Sequence, residues 1–192
     1  MARDPVLTRK RILEAANSLF YAEGIRAVSV DLIAERSGVT KKTIYYHFDS
    51  KDDLVAEWLV AQDQPHLLAF QRWFVEGKGD IADRVESLFR GMAKSSDHPK
   101  WYGCGFVRTI GELVNEPNHP ALEVGAQHKK NIEKWLVSRL LAEGIRDAEN
   151  TARQIALLMD GAFTAMMVHR DVHYIEAAGA AAANLVRHSK NP

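Results

Sequence analysis

The 192-residue chain holds one cysteine, Cys104, so the sequence offers no pair for an internal disulfide and no thiolate cluster for a structural zinc. No apolar run reaches the length needed to cross a bilayer, and Met1 to Pro5 lacks the apolar stretch of a secretory signal, so the expected location is the cytoplasm, away from membranes. Sustained period-two alternation bounded by turns is absent, which removes the signal for strands. No nucleophile with its base, no carboxylate pair and no complete metal-ligand set stands at a diagnostic spacing, and the expectation is a protein that is not an enzyme and carries no cofactor or metal. His169 and His173, with Asp171 between them, are two ligands of an incomplete site. Cys104, between two glycines, has only Lys100 and Arg108 near it in sequence to lower its pKa and reads as a small inert thiol.

What is present is ordinary globular chemistry: 46% hydrophobic, 26% charged and 8% aromatic residues. The formal net charge is zero, but it is not evenly spread. Residues 1–51 hold nine Lys/Arg against six Asp/Glu, and the remaining residues hold sixteen against nineteen. The positive end is the one a polyanion would meet first.

That end also has the most specific pattern. Thr8 to Glu23 places Ile12, Ala16, Leu19 and Phe20 at the spacing of one buried helical face, and Gly24 ends the helix with Ile25 folding back on it. Ser29 caps a second short helix, Val30 to Ser37, which stops at Gly38. Thr40 then caps a third, in which Val39, Ile44 and Phe48 share an inward face. Lys41, Lys42, Thr43, Tyr45, Tyr46 and His47 are left facing outward: cations for phosphates, hydroxyls for phosphates or base edges, and rings for thymine methyls. Two short helices across a tight glycine turn, the second rich in donors, form a helix-turn-helix, which seats its second helix in the major groove.

Ser29 to Lys51 (SVDLIAERSGVTKKTIYYHFDSK), with the helix before it, resembles the N-terminal domain of the TetR family of repressors. Gly38-Val39-Thr40, Ile44-Tyr45-Tyr46-His47-Phe48 and Lys51 match every part of that family's pattern. The resemblance implies that Thr40, Tyr45, His47 and Lys51 hold the phosphate backbone, while Lys41, Lys42, Thr43 and Tyr46 lie nearest the bases and set the operator sequence. With Ser29, these make up the expected DNA-contacting set. Taken singly, each also reads as an ordinary surface or packing residue, and it is their joint spacing that carries the assignment.

Ser50 opens the next helix, which includes Leu54, Val55, Trp58 and Leu59 and runs to about Phe74, where Gly77-Lys78-Gly79 breaks it. Beyond it the pattern stays helical: Asp80 caps a segment with Ile81, Val85 and Leu88, a helix carries Ile110, Leu113 and Val114, and long helices cover 121–143, 147–169 and 174–188. The expected architecture is all-α, with a helix-turn-helix domain over 1–49 joined by a long helix to an effector-binding and dimerisation domain of five or six helices over 50–192.

This second part is rich in large, soft side chains, most of which read individually as core. The resemblance implies an apolar effector cavity among them, and the expected lining is Trp58, Phe70, Trp73, Phe89, Met92 and Trp101, with Phe106, Met159, Phe163 and Met166. Arg108, Glu112 and Asn115 are the polar candidates. Small residues in the last two helices (Ala156, Gly161, Ala162, Ala165, and Ala177 to Ala183 with Gly179) suit either a close homodimer interface or a tight pair within one chain. Dimerisation is favoured because one helix-turn-helix buries little DNA surface and a two-fold dimer reads two half-sites. The expected partners are therefore double-stranded operator DNA, a small-molecule effector and a second copy of the chain. Effector binding would shift the long helix and change the spacing of the recognition helices. A hundredfold loss of operator affinity needs about 2.7 kcal/mol. The alternative is a DNA-binding protein without an effector pocket.

Overall fold

The computed structural model describes residues 4–190, and among these there are nine helices and no strand. Arg3, counted above in the basic excess, lies outside the described residues. The helices are α1 (Pro5–Glu23), α2 (Val30–Ser37), α3 (Lys41–His47), α4 (Lys51–Glu76), α5 (Ile81–Ser96), α6 (Gly105–Glu112), α7 (Pro120–Ala142), α8 (Ala148–His169) and α9 (His173–Lys190). The all-α expectation holds, with five helices after the long α4.

α1 starts earlier than its apolar spacing suggests. Asp4 accepts a hydrogen bond from the Val6 N–H and Pro5 takes the first helical position, where a missing N–H costs nothing. At the other end of the chain, α8 stops at Arg170, which adopts the left-handed conformation (φ 53°). His169 and His173 therefore sit on different helices. His169 stacks on Tyr174 with ring centroids 4.5 Å apart, and His173 pairs with Glu176.

The chain divides into two compact units. The first comprises residues up to Gln62 together with Cys104–Ala126, and the second Asp63–Gly103 and Gln127 onward. Residues 1–49 fall wholly within the first, which also takes the start of α4, all of α6 and the start of α7. Its core joins Ile12, Leu19, Phe20, Ile33, Ile44 and Phe48 to Leu54, Trp58, Leu59, Phe106 and Leu113. The second unit has its own core, built from α5 (Val85, Leu88, Phe89, Met92), α7 (Ile132, Leu136, Leu140), α8 (Ile155, Met159, Met166) and α9 (Ile175, Val186).

Side-chain contacts set the helix register inside the second unit. Gly91 has no room for a Cβ because the Trp73 ring lies against it, and Gly77 meets Arg84 and Ser87, so α4 and α5 run antiparallel. Gly179 packs on Phe89 in the same way, while Arg187 reaches Asp83, so α9 runs antiparallel to α5. The small residue at Gly179 thus serves packing inside the chain, as do the fully buried Ala182 and Ala183.

Candidate nucleic-acid interface

The reading head is assembled from local signals. Ser29 accepts from the Leu32 N–H at 3.1 Å and starts α2. Gly38, at φ 65° and ψ 36°, ends it in a left-handed cap, with the Gly38 N–H bonded to Glu35 and the Val39 N–H to Ala34. Arg11 of α1 donates to the Ser37 carbonyl, and the buried Ser37 hydroxyl donates to Ile33 at 2.7 Å, so the last turn of α2 is held from both sides. Thr40 then accepts from the Thr43 N–H and opens α3.

α3 is pinned on one side only. Ile44 and Phe48 are 1% and 2% exposed, whereas Tyr45 is 47% and Tyr46 78% exposed, and Lys41 and Lys42 face solvent. Thr43 and His47 are half-buried rather than outward: Thr43 shares a hydroxyl contact with Thr40 at 2.8 Å, and the His47 ring sits between those of Tyr46 and Phe48. Lys41 pairs with Asp31 at 3.0 Å, which raises its pKa above the ordinary value. Lys51 is half-buried at the start of α4, and desolvation lowers its pKa. The expected DNA-contacting residues are thus brought to one helix, its cap, the cap of α2 and the first turn of α4.

Two basic residues of α1 have internal tasks. Arg9 lies over the Phe48 ring, 5.1 Å from its centroid, and pairs with Glu57 of α4, while Arg11 holds α2 as described. Trp58 is 2% exposed, with its indole N–H donated to Asn17 at 2.8 Å and its ring 5.2 Å from that of Phe20. Its contacts are those of the reading head's core, not of an effector lining.

The larger departure from the sequence reading concerns α6. The Glu112 carboxylate accepts from the backbone N–H groups of Ile25 (3.2 Å) and Arg26 (2.9 Å), in the turn between α1 and α2. The Arg26 guanidinium donates to the Glu112 carbonyl at 2.9 and 2.7 Å and to Glu116 at 2.6 Å. Arg108 donates to the Tyr21 carbonyl at 2.7 Å. Gly24, at φ 86°, has no Cβ, and one placed there would come within 2.7 Å of Glu112. Arg108 and Glu112, expected to orient an effector, instead clamp the α1–α2 turn. Phe106 is fully buried in the same core, and Asn115 is exposed. Nothing local in sequence signals this clamp, because its partners stand 86 to 90 residues apart.

His119 ties the start of α7 to the same unit. Its Nδ1 accepts from the Ala121 N–H at 3.1 Å, which places the ring proton on Nε2, 3.4 Å from Asp52.

The remaining expected effector residues lie in the second unit. Phe70, Phe89, Met92, Met159 and Met166 are buried in its core, Trp73 covers Gly91, and Trp101 lies 5.9 Å from Phe163. Sequence reasoning missed a polar group there: Asp63 accepts from His128 at 2.6 Å and from Asn131 at 2.8 Å, with the His66 ring 5.9 Å from that of His128. Burial lowers the pKa of both imidazoles, that of His66 to about 4. Among the described residues no three His, Cys, Asp or Glu side chains are grouped to hold a metal ion, and no helix is long and apolar enough to cross a membrane.

Comparison with known proteins agrees with this geometry. Residues 12–58 match the model of the bacterial regulatory proteins, tetR family. The HTH-type transcriptional regulator UidR of Escherichia coli (strain K12) is 36% identical over 163 residues, spanning 80% of this chain and 76% of its own length. The HTH-type transcriptional regulator SrpR of Pseudomonas putida is 26% identical over 189 residues, spanning 83% and 85%. The crystal structure of SCO4454, a TetR-family transcriptional regulator from Streptomyces coelicolor, superposes with a TM-score of 0.83 at 26% identity and covers 99% of this chain and 93% of that one. With a capped recognition helix, a buried scaffold behind it and relatives matched along most of its length, the chain belongs to the TetR family of helix-turn-helix transcriptional regulators.

Proposed function

We propose that the chain is a repressor that binds a palindromic operator as a homodimer and is released by a small, largely apolar effector. The observation that carries the DNA-reading part is the asymmetry of α3, anchored by Ile44 and Phe48 and presenting Lys41, Lys42, Tyr45 and Tyr46 to solvent. Thr40, Tyr45, His47 and Lys51 hold phosphates in this reading, with Ser29 beside them at the start of α2. Lys41, Lys42, Thr43 and Tyr46 meet base edges. The Lys41–Asp31 pair is solvent-exposed and weak, so phosphate or a guanine edge can displace it.

Dimerisation is assigned to α8 and α9. Leu157 and Val168 are 67% and 70% exposed, and Leu157, Leu158, Ala181 and Leu185 line a shallow apolar depression with Gln154, Asn184 and His188. A second copy covering this face buries it and doubles the number of phosphate contacts. The effector belongs with the soft residues of the second unit. α4 contributes residues 51–62 to one unit and 63–76 to the other, and is the natural carrier of the signal.

Selection of bound duplexes from a random DNA pool tests the reading. The expected result is an enriched inverted repeat. Tyr45→Phe should weaken it across all sequences, and Lys42→Ala should relax it at particular bases, by about 1–3 kcal/mol at the position read. Recovery of no motif, with weak binding that vanishes at moderate salt, would leave only nonspecific phosphate attraction.

A further inference from the structure

The inward stripe of α5 runs Ile81, Val85, Leu88, Phe89 and Met92, each at most 1% exposed. One turn further the same face reaches Ser96, which is 2% exposed. Among the described residues, the Ser96 hydroxyl is the buried side-chain polar atom left without a hydrogen-bond partner. A serine at a helix end ordinarily bonds a carbonyl one turn back, as Ser37 does with Ile33. A buried hydroxyl that makes no such bond costs free energy that alanine would not, so its presence calls for a reason.

The register of the second unit shows what surrounds that end. Trp73 lies against Gly91 and Gly77 against Ser87, so counting along the antiparallel pair brings Ser96 level with the turn of α4 that carries His66 and Phe70. His66 stands beside His128 of α7, and Lys129, next along α7, pairs with Asp160 of α8, one turn before Phe163. Phe163 in turn meets Trp101, five residues beyond Ser96. By this register Ser96 falls in the layer of the bundle that holds His66, His128 and Phe70, with Trp101 and Phe163 close by along the chain. His66 and Phe163 are only half-buried, which leaves the layer accessible.

We propose that this layer is the recognition end of the effector site, and that it takes an uncharged, largely apolar molecule whose hydroxyl or carbonyl hydrogen-bonds Ser96. The proposal rests on the effector reading given above. Its ligand class follows from the charges present. Asp63 already accepts from His128 and Asn131 and would repel an anion, and both imidazoles are neutral at physiological pH.

The test uses the full chain and three probes of one size: 2-naphthol, 2-naphthoate and 2-naphthylmethylamine, titrated by calorimetry at pH 7.5. We expect 2-naphthol to bind and the two charged probes to bind at least tenfold more weakly. Ser96→Ala should fold with an unchanged or higher melting temperature yet weaken 2-naphthol about fivefold to tenfold. His66→Gln, a second variant that keeps hydrogen-bonding capacity, should alter 2-naphthol affinity and leave operator binding unchanged. Absence of 2-naphthol binding, equal binding of a charged probe, or an unchanged affinity in Ser96→Ala overturns the proposal. Operator release by some other molecule acting equally on wild type and Ser96→Ala overturns it while sparing the effector reading. A library in which nothing raises the melting temperature or releases the operator overturns both.

Discussion

The two units hold their polar groups with a different emphasis. In the first, ties between elements end largely on backbone: Glu112 on the N–H groups of Ile25 and Arg26, Arg108 on the Tyr21 carbonyl, Arg11 on that of Ser37 and His119 on the Ala121 N–H, beside side-chain pairs such as Trp58–Asn17. In the second, the side-chain group His128–Asp63–Asn131 stands beside the backbone tie of Arg170 to Trp101, and one buried hydroxyl, on Ser96, has no partner. Backbone partners fix the relative positions of helices, which a reading head needs because a misplaced recognition helix loses several contacts at once. Side-chain partners can be exchanged for those of a ligand without moving a helix end. Under the effector reading proposed above, the difference is that between a part that must keep one geometry and a part that must answer a ligand.

The sharpest way to break this contrast is through the wedge behind α3. Phe48→Ala removes a ring buried at 2% exposure, and the expected cost is about 3–5 kcal/mol, read as a lower urea midpoint with loss of operator binding. A near-neutral result would mean that the first unit is as adaptable as the second.

Acid should act on the second unit through His66. Its folded pKa, about 4, lies below the unfolded value near 6.5, so the unfolded chain binds more protons between these values. Stability from this group is therefore complete above about pH 6.5 and falls as pH drops toward 4, by about 3 kcal/mol at most. Urea midpoints at pH 7.5 and 4.5 should differ less in His66→Gln than in wild type, and equal differences would remove His66 from the account.

Glu112→Ala leaves the backbone N–H groups of Ile25 and Arg26 without their carboxylate, while the Arg26 guanidinium keeps the carbonyl of residue 112 and Glu116, at an expected cost of about 1–3 kcal/mol. Operator affinity should fall while its salt slope stays constant, since no phosphate contact is lost. An unchanged affinity would show that α6 is not needed to hold the reading head.

The smallest effect is expected from Asp31→Asn, which releases Lys41 from an exposed pair. The melting temperature should not move, and operator binding at low salt should tighten slightly, a gain that added salt abolishes. Weaker binding would mean that Asp31 positions Lys41 rather than competing for it.

How much of this was legible in sequence follows from the reach of each interaction. Ser29, Gly38 and Thr40 act on partners three to five residues away, so α2, the turn and α3 can be read from residue order, and Ile44 and Phe48 declare the buried face of α3 by their spacing. The start of α1 was equally available in Asp4-Pro5, a cap and first-position pair outweighed by the apolar spacing that begins later. Charge composition placed the basic excess at the correct end, yet could not say that Arg9 and Arg11 are spent on Phe48, Glu57 and Ser37.

Residue order by itself determined the helical class, the caps and the outward row of α3, because these rest on contacts within a turn or two of the chain. Only the tertiary structure decided that Glu112 and Arg108 clamp the α1–α2 turn, that Trp58 and Phe106 belong to the core behind the reading head, and that the Ser96 hydroxyl is buried without a partner. Those outcomes join residues tens of positions apart. Such pairings depend on how helices pack against one another, and a local pattern of amphipathic helices fits many such packings equally well.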